Sequence, residues 1–220
     1  MRRAVSHQSS LRHPLSEVLG AFNNVRVVRA MAGHGGELST TEISRLSGVA
    51  VQNVRTIVDS LVNFRILREI GSGRSRVFRI VDGHPLVPSI KALFEAEERR
   101  FRAVLQVVRE AAANYAKDVL AVWLYGSVAR AEDGPRSDLD IVVVTAPEHL
   151  DRVVQGLREQ LRAAEESYVF TASVVGIDTD DVLRLNSQQD GWWLDMIADA
   201  LPLAGPAPQT LVAKLQRKSP

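Results

Sequence analysis

No cysteine occurs among the 220 residues, which rules out a disulfide framework, a zinc–thiolate site and a thiol nucleophile. No apolar run approaches the roughly 20 residues of a membrane helix. The opening segment, MRRAVSHQSS, has two arginines but no apolar stretch behind them, so it does not read as a secretory signal. These absences predict a soluble, cytoplasmic protein with no membrane partner. Internal repeats and low-complexity tracts are missing as well. The histidines, at 7, 13, 34, 84 and 149, are scattered without ligand spacing. Net charge is small, +1, but unevenly placed. Residues 1–90 carry 12 Arg, no Lys and 6 acids, a balance of +6, whereas the remainder carries 15 basic and 20 acidic residues, a balance of −5. A basic first half predicts that only this half meets a polyanion. The length and apolar content suit one large or two small domains.

What is present is concentrated in residues 119–145, VLAVWLYGSVARAEDGPRSDLDIVVVT. Val119–Tyr125 and Leu139–Thr145 are short, β-branched and bounded by turn formers, and both read as buried strands. Between them lie Gly126-Ser127, a helix-compatible piece at Val128–Glu132 and a Gly134-Pro135 turn. Asp138 and Asp140 open the second strand, and the two-residue repeat of a strand sends both carboxylates to one face. Two adjacent anions need a partner, and a hard divalent cation such as Mg2+ is the natural one. Gly126 leaves the backbone open, and Ser127 begins a helix whose unpaired N–H groups suit a phosphate. A phosphate cradle opposite a carboxylate pair is a site for phosphoryl or nucleotidyl transfer.

The order Gly126-Ser127, ten residues, Asp138-Leu139-Asp140, Ile141-Val142-Val143 resembles the nucleotidyltransferase superfamily of DNA polymerase β, kanamycin nucleotidyltransferase and the minimal nucleotidyltransferases. Ala129 and Arg130 also match the fuller motif, and Ala131 stands where that family often has Gly. The resemblance implies that Asp138 and Asp140 are catalytic and hold two Mg2+ ions, one activating an acceptor hydroxyl and the other neutralising the triphosphate of an NTP, with ATP expected. It implies phosphate binding by Gly126 and Ser127, with Arg130 either a second phosphate contact or part of a solvated helix face. Ser137 reads as a turn cap. The family usually brings a third acid from the next strand, and Tyr168–Val175 holds none. Thr171 or Ser173 stands in the equivalent place, and Asp178 and Glu166 flank it. Loss of that acid leaves Mg2+ binding feasible but weakens deprotonation of the acceptor, a step worth ~10²–10⁴ in rate.

The basic half has its own pattern. Residues 1–12 read as a disordered tail. From Pro14, a helix to Ala32 is expected to bury Leu15, Val18, Leu19, Phe22, Val25, Val28 and Met31, ending at Gly33 and Gly35-Gly36. Ser39-Thr40-Thr41-Glu42 fits a capping box for a short helix with Ile43 and Leu46 inward. After Gly48, a helix over about 50–64 buries Val54, Ile57, Val58 and Leu61. Leu67–Ile70 and Arg76–Val81 read as a hairpin. This order resembles a winged helix-turn-helix of the broad ArsR/MarR type over residues 13–83. The resemblance implies double-stranded DNA as partner, with Gln52, Asn53 and Arg55 reading bases or phosphates and Arg74 and Arg76 acting from the wing. A winged helix used only for dimerisation or docking is the alternative. Ala50 departs from the Ser or Thr cap frequent before such helices.

Asp82-Gly83-His84-Pro85 reads as the boundary. A long helix over 86–117 follows, with Ile90, Leu93, Phe94, Phe101, Val104, Leu105 and Val108 as its stripe; it serves as a homodimer element or as a core helix. The catalytic domain is expected over 118–206, with a helix at Pro147–Ala164 burying Leu150, Val153, Val154, Leu157 and Leu161. Short helices are expected at Asp178–Leu185 and Gly191–Ala200, with Leu201–Gly205 closing the domain and a frayed helix or tail over 207–220. Adjacent Trp192 and Trp193 cannot both face the core, which leaves one for a base or a partner. The fold expected is α+β: a winged helix followed by a nucleotidyltransferase-like mixed sheet with flanking helices. Its function is expected to be Mg2+-dependent transfer of a nucleoside monophosphate to a hydroxyl on a protein, RNA or small molecule, regulatory or antitoxin-like. The competing expectation is a transcription regulator whose impaired catalytic domain senses nucleotide.

Overall fold

The structure, a computed structural model, describes residues 15–71 and 76–218, and the chain forms two compact units that meet in sequence at Glu98–Arg99.

The first unit holds α1 (Leu15–Val18), α2 (Phe22–His34), β1 (Leu38–Ser39), α3 (Thr40–Ser47), α4 (Val51–Asn63), β2 (Leu67–Ile70), β3 (Val77–Ile80) and the first part of α5 (Val87–Ala113). The capping box forms as expected: Glu42 N–H donates to Ser39 Oγ at 3.3 Å and Ser39 N–H donates to Glu42 Oε2 at 2.8 Å. The Ser39 hydroxyl also donates to Glu42 Oε2 at 2.7 Å, and the two bonds that the Glu42 carboxyl accepts from Ser39, the backbone one first, hold it below its usual range. Gly48 turns α3 into α4 at φ 65°, a left-handed backbone that favours glycine. Val54, Ile57, Val58 and Leu61 all face inward from α4 onto Val27, Val28, Met31, Ile43 and Phe78. The hairpin β2–β3 gains a third strand, β1, in the order β1-β3-β2, all antiparallel.

The expected first helix is two helices, interrupted around Gly20, and this changes its buried face. Phe22 is 75% exposed, with the Arg26 guanidinium 5.4 Å from its ring centre, while Val27 is fully buried. Leu46 on α3 is likewise 44% exposed, and Ser47 turns inward in its place. Within α5, Val87 and Ile90 belong to the first core and Val104, Val108, Ala111 and Ala112 to the second, while Leu93 stays 52% exposed. The disordered tail expected over residues 1–12 lies outside the described residues.

The second unit continues with β4 (Val119–Tyr125), α6 (Gly126–Ala129), β5 (Leu139–Thr145), a 3-10 turn at Pro147–His149, α7 (Leu150–Tyr168), β6 (Ala172–Asp178), α8 (Thr179–Gln188), α9 (Gly191–Asp199), β7 (Leu201–Ala204) and α10 (Pro208–Lys218). One mixed sheet runs β6-β5-β4-β7, with β5 and β6 parallel and the other pairs antiparallel. Helices cover both faces, which is why β4 and β5 are continuously apolar instead of alternating. Val122, Leu124, Leu139, Ile141 and Val143 pack with α5 and α7, while Ala121, Trp123, Val142 and Val144 pack with α8, α9 and α10. Trp123 is fully buried and its indole N–H donates to Pro206 O at 2.8 Å, so the one polar atom of its ring is satisfied.

One expectation for this unit is corrected and another gains a definite structure. The third strand does not begin at Tyr168: α7 continues through that residue, ends on Val169 at φ 55°, and β6 starts at Ala172. Tyr168 and Phe170 pack against the core from outside the strand, and this apolar packing gives the segment its strand-like pattern. The segment after α9, expected to close the domain, is a fourth strand, β7, on the outer side of β4. Beyond it, residues 208–218 form a helix that buries Leu211 and Val212.

Candidate active site

Antiparallel pairing of β4 with β5 sets the end of one strand beside the start of the other, and Tyr125 lies opposite Asp140. The chain therefore turns at Gly126 directly against the acidic strand. Gly126 has φ 74°, and an added Cβ would sit 2.6 Å from Asp140 Oδ2. Only glycine satisfies both the left-handed backbone and this close approach. Ser127 follows, half-buried at the start of α6, and Glu132 N–H closes the loop onto Ser127 O at 2.9 Å. Ser137 caps its turn as expected, accepting from Gly134 N–H at 3.0 Å.

Asp140 shares its sheet face with Tyr125 and, across the parallel pair, with Ser173. Burial, and then the neighbouring charge of Asp138, push Asp140 above the usual carboxylate range, against the opposing effect of the Ser173 hydroxyl, its register partner. Asp138 is exposed, and Asp140 half-buried. Among the described residues neither takes part in an ion pair, so the negative charge here is not balanced from within. Two carboxylates and a hydroxyl fit a magnesium ion that keeps several waters. No described group of three or more acidic or histidine ligands adds to them.

The third-acid position is thereby resolved among its four candidates. Ser173 faces Asp140. Asp178 lies opposite Thr145, at the far end of the strand, where its carboxylate caps α8 by accepting from Asp181 N–H at 2.8 Å. Thr171 and Glu166 line a hollow of about 500 Å3 that opens on the other face of β5, where Leu139 points, and neither Asp138 nor Asp140 borders it. Arg130 is exposed but engaged: its guanidinium pairs with Glu132 at 2.8 Å and with Asp199 on α9.

Two aromatic residues complete the surroundings. Trp193 is fully buried edge-on against Trp123, with ring centres 6.2 Å apart. Trp192 is 38% exposed and meets Tyr125 at 6.1 Å with the ring planes 87° apart. Tyr125 drew no notice in the sequence. Its position as the last residue before Gly126, paired in a tight antiparallel register, was the available signal.

On the first unit, Gln52, Asn53 and Arg55 are all exposed on α4, along the side opposite its apolar stripe. Arg76, expected to act from the wing, is bonded to Glu69 at 2.7 Å and to Asp59 at 2.9 Å, and lies 5.3 Å from the Phe78 ring centre. Arg74 lies outside the described residues.

Residues 106–191, which hold the glycine turn and both carboxylates, match the family model for polymerase beta nucleotidyltransferases. No curated protein matches the chain. Among solved structures, the AntR antimony-specific transcriptional repressor is 24% identical over 48% of this chain and 90% of its own, with a TM-score of 0.36. A toxin–antitoxin complex with AMP-PNP is 17% identical over 51% of this chain and 84% of its own, also at 0.36. The toxin–antitoxin pair MntA-HpeT, in mutant form, is 14% identical over 53% and 83%, at 0.34. No described helix is long and apolar enough to cross a membrane.

Proposed function

We propose that the second unit is a Mg2+-dependent nucleotidyltransferase, moving a nucleoside monophosphate from an NTP, ATP by preference, to a hydroxyl acceptor. The observation that carries this reading is the Asp138–Asp140 couple, free of ion pairs among the described residues, with Asp140 packed against Gly126. Asp138 and Asp140 would hold magnesium, which supplies charge neutralisation for the triphosphate and activation of the acceptor hydroxyl. Ser127, through its hydroxyl and the open N–H groups of the turn, would bind the β- or γ-phosphate. Arg130 ties α6 to α9 through Asp199 and contributes to the shape of the phosphate site rather than to a phosphate contact. Ser173 cannot accept a proton as a carboxylate does, so acceptor deprotonation falls to solvent and transfer is slow.

The first unit, in this proposal, binds double-stranded DNA through Gln52, Asn53 and Arg55, with Arg74 added from the wing, and the chain works as a homodimer through α5, on which Leu93 stands exposed. Its role is regulatory or antitoxin-like, with a protein side chain as one candidate acceptor. A second reading has one specific observation in its favour, the neutral Ser173 beside Asp140: a transcription regulator that senses nucleotide without turnover.

The test is a calorimetric titration of Mg2+ and ATP into the wild type and Asp138→Asn, followed by labelled NTP with cell lysate as acceptor. Binding and transfer that both disappear in the variant support the enzyme. Binding without transfer with every NTP supports the sensor. Absence of binding in the wild type removes both.

A further inference from the structure

Helix α9 is fastened to the glycine turn at both of its ends. Near its N-terminus Trp192 meets Tyr125, the residue before Gly126; at its C-terminus Asp199 pairs with Arg130, the residue after α6. Trp193 anchors the same helix into the core against Trp123, so the neighbouring Trp192 is held in place although it is 38% exposed. The two ring planes stand 87° apart, so Tyr125 does not stack flat on the indole. Tyr125 in turn shares the sheet face of Asp140. A half-exposed indole in ring contact with Tyr125, the register partner of Asp140, offers a large apolar plane at little cost in conformational entropy.

We propose that Trp192 is the surface on which the purine base of the bound nucleotide stacks, while the phosphates meet Ser127 and the Asp138–Asp140 couple. This rests on the nucleotidyltransferase reading and adds to it a specificity residue one position beyond the stretch that matches the family model. Every base has a π-face, so stacking tolerates either purine, and the larger ring system of a purine covers more of the indole than a pyrimidine does. Tyr125 is a positioning residue: it holds the plane of the indole through the perpendicular ring contact.

The experiment uses the full chain, in wild-type, Trp192→Ala and Trp192→Phe forms, each checked for an unchanged melting temperature. Intrinsic tryptophan fluorescence and calorimetry follow titration with Mg2+-ATP, Mg2+-CTP and Mg2+-tripolyphosphate. ATP should quench the exposed indole in the wild type and bind more tightly than CTP. Trp192→Ala should weaken ATP about tenfold, equivalent to ~1.4 kcal/mol, erase the purine preference and leave tripolyphosphate unaffected; Trp192→Phe should recover most of the loss. ATP affinity unchanged in Trp192→Ala, or an equal loss for tripolyphosphate, overturns the stacking role while leaving the nucleotidyltransferase reading intact. Failure of the wild type to bind ATP or tripolyphosphate overturns both.

Discussion

The two units carry candidate functional residues under opposite constraints. On α4, Gln52, Asn53 and Arg55 project into solvent, and the helix would form equally well with other polar residues there, because its stability comes from Val54, Ile57, Val58 and Leu61. At the β4–β5 end, candidate site and fold share atoms: Gly126 packs against Asp140, Ser173 stands in register beside it and Tyr125 pairs with it. A site built into backbone contacts restricts which residues can stand at each position, whereas an exposed helix face restricts only their polarity. The catalytic candidate is accordingly the sharper of the two inferences, and its substitutions should affect stability as well as activity.

The largest effect expected is from Asp140→Asn. On the proposed reading, this substitution takes a carboxylate from the magnesium site and forfeits several kcal/mol of charge stabilisation, on the order of a 10³-fold loss in transfer rate. Stability should move the other way. Burial raises the native Asp140 pKa, so the folded protein holds its proton to higher pH than the unfolded chain does. Stability contributed by this group is therefore greatest at low pH and falls as pH rises through the native value. At neutral pH the ionised carboxylate is a net burden, and the metal-free Asn variant should melt at a higher temperature than the metal-free wild type. Metal binding requires the ionised form, so Mg2+ affinity should weaken as pH drops through the same interval. A lower melting temperature in the variant would mean that the Ser173 bond outweighs desolvation.

Next in size is Gly126→Ala. The left-handed backbone alone costs a non-glycine residue about 1–2 kcal/mol, and the new methyl would also have to displace Asp140 Oδ2, 2.6 Å away. Gly134→Ala is the control, because an added Cβ there meets nothing within 4 Å. Chemical denaturation should separate the two by at least ~1 kcal/mol. Equal stabilities would show that the turn is soft and that the close approach does not shape the site.

On the basic unit, Arg55→Ala should cost DNA affinity about 1–3 kcal/mol if Arg55 reads a base, or reduce the salt slope by about 1 if it holds a phosphate. Arg76→Ala should cost less, since its guanidinium is already committed to Glu69 and Asp59; competition by exposed acids of this kind weakens a phosphate contact. Salt-dependent titration with duplex DNA orders the two. A larger loss from Arg76→Ala would make the wing the main contact and α4 the lesser one.

Much of this architecture is legible in residue pattern. The bounds of β4 and β5, the Ser39–Glu42 box and the buried face of α4 all follow from periodicity and capping chemistry, because each depends on neighbours within a few positions. What escaped depends on distant partners. β1 is two residues long and exists only through its pairing with β3. β7 contains Pro202, a residue that argues against a central strand, and it lies at the sheet edge, where proline is tolerated. Tyr168 looks like strand but packs as the end of a helix. In the site, the two acids and the glycine could be read from spacing. The roles of Ser173, Tyr125 and Asp199 required the sheet register and the position of α9.

Register also suggests a smaller, constructive change. Ser173→Asp restores an acid opposite Asp140, and additional ligand charge should tighten Mg2+ binding on the order of tenfold while destabilising the metal-free protein by like-charge repulsion. Calorimetry with Mg2+ alone reads the first effect and thermal melting the second. Unchanged Mg2+ affinity would mean that the residue 173 side chain does not reach the ion, and that the hydroxyl serves only to orient Asp140.

The smallest effect concerns Ala131, which follows α6 at φ 56° and is exposed. A left-handed backbone penalises alanine by about 1–2 kcal/mol, while glycine in its place returns about 0.5–1 kcal/mol of that through its freer unfolded chain. Ala131→Gly should therefore stabilise the second unit by no more than ~1 kcal/mol. The consequence for function separates two ideas about Arg130. If its pairing with Asp199 holds α6 in place, relaxing the adjacent residue leaves that pair intact and Mg2+-ATP affinity unchanged. If the strained turn is instead what keeps Arg130 aimed at α9, the glycine variant should free the guanidinium and alter nucleotide affinity despite the higher melting temperature. Measuring both quantities on one variant decides whether the ion pair or the backbone sets the geometry of the phosphate turn.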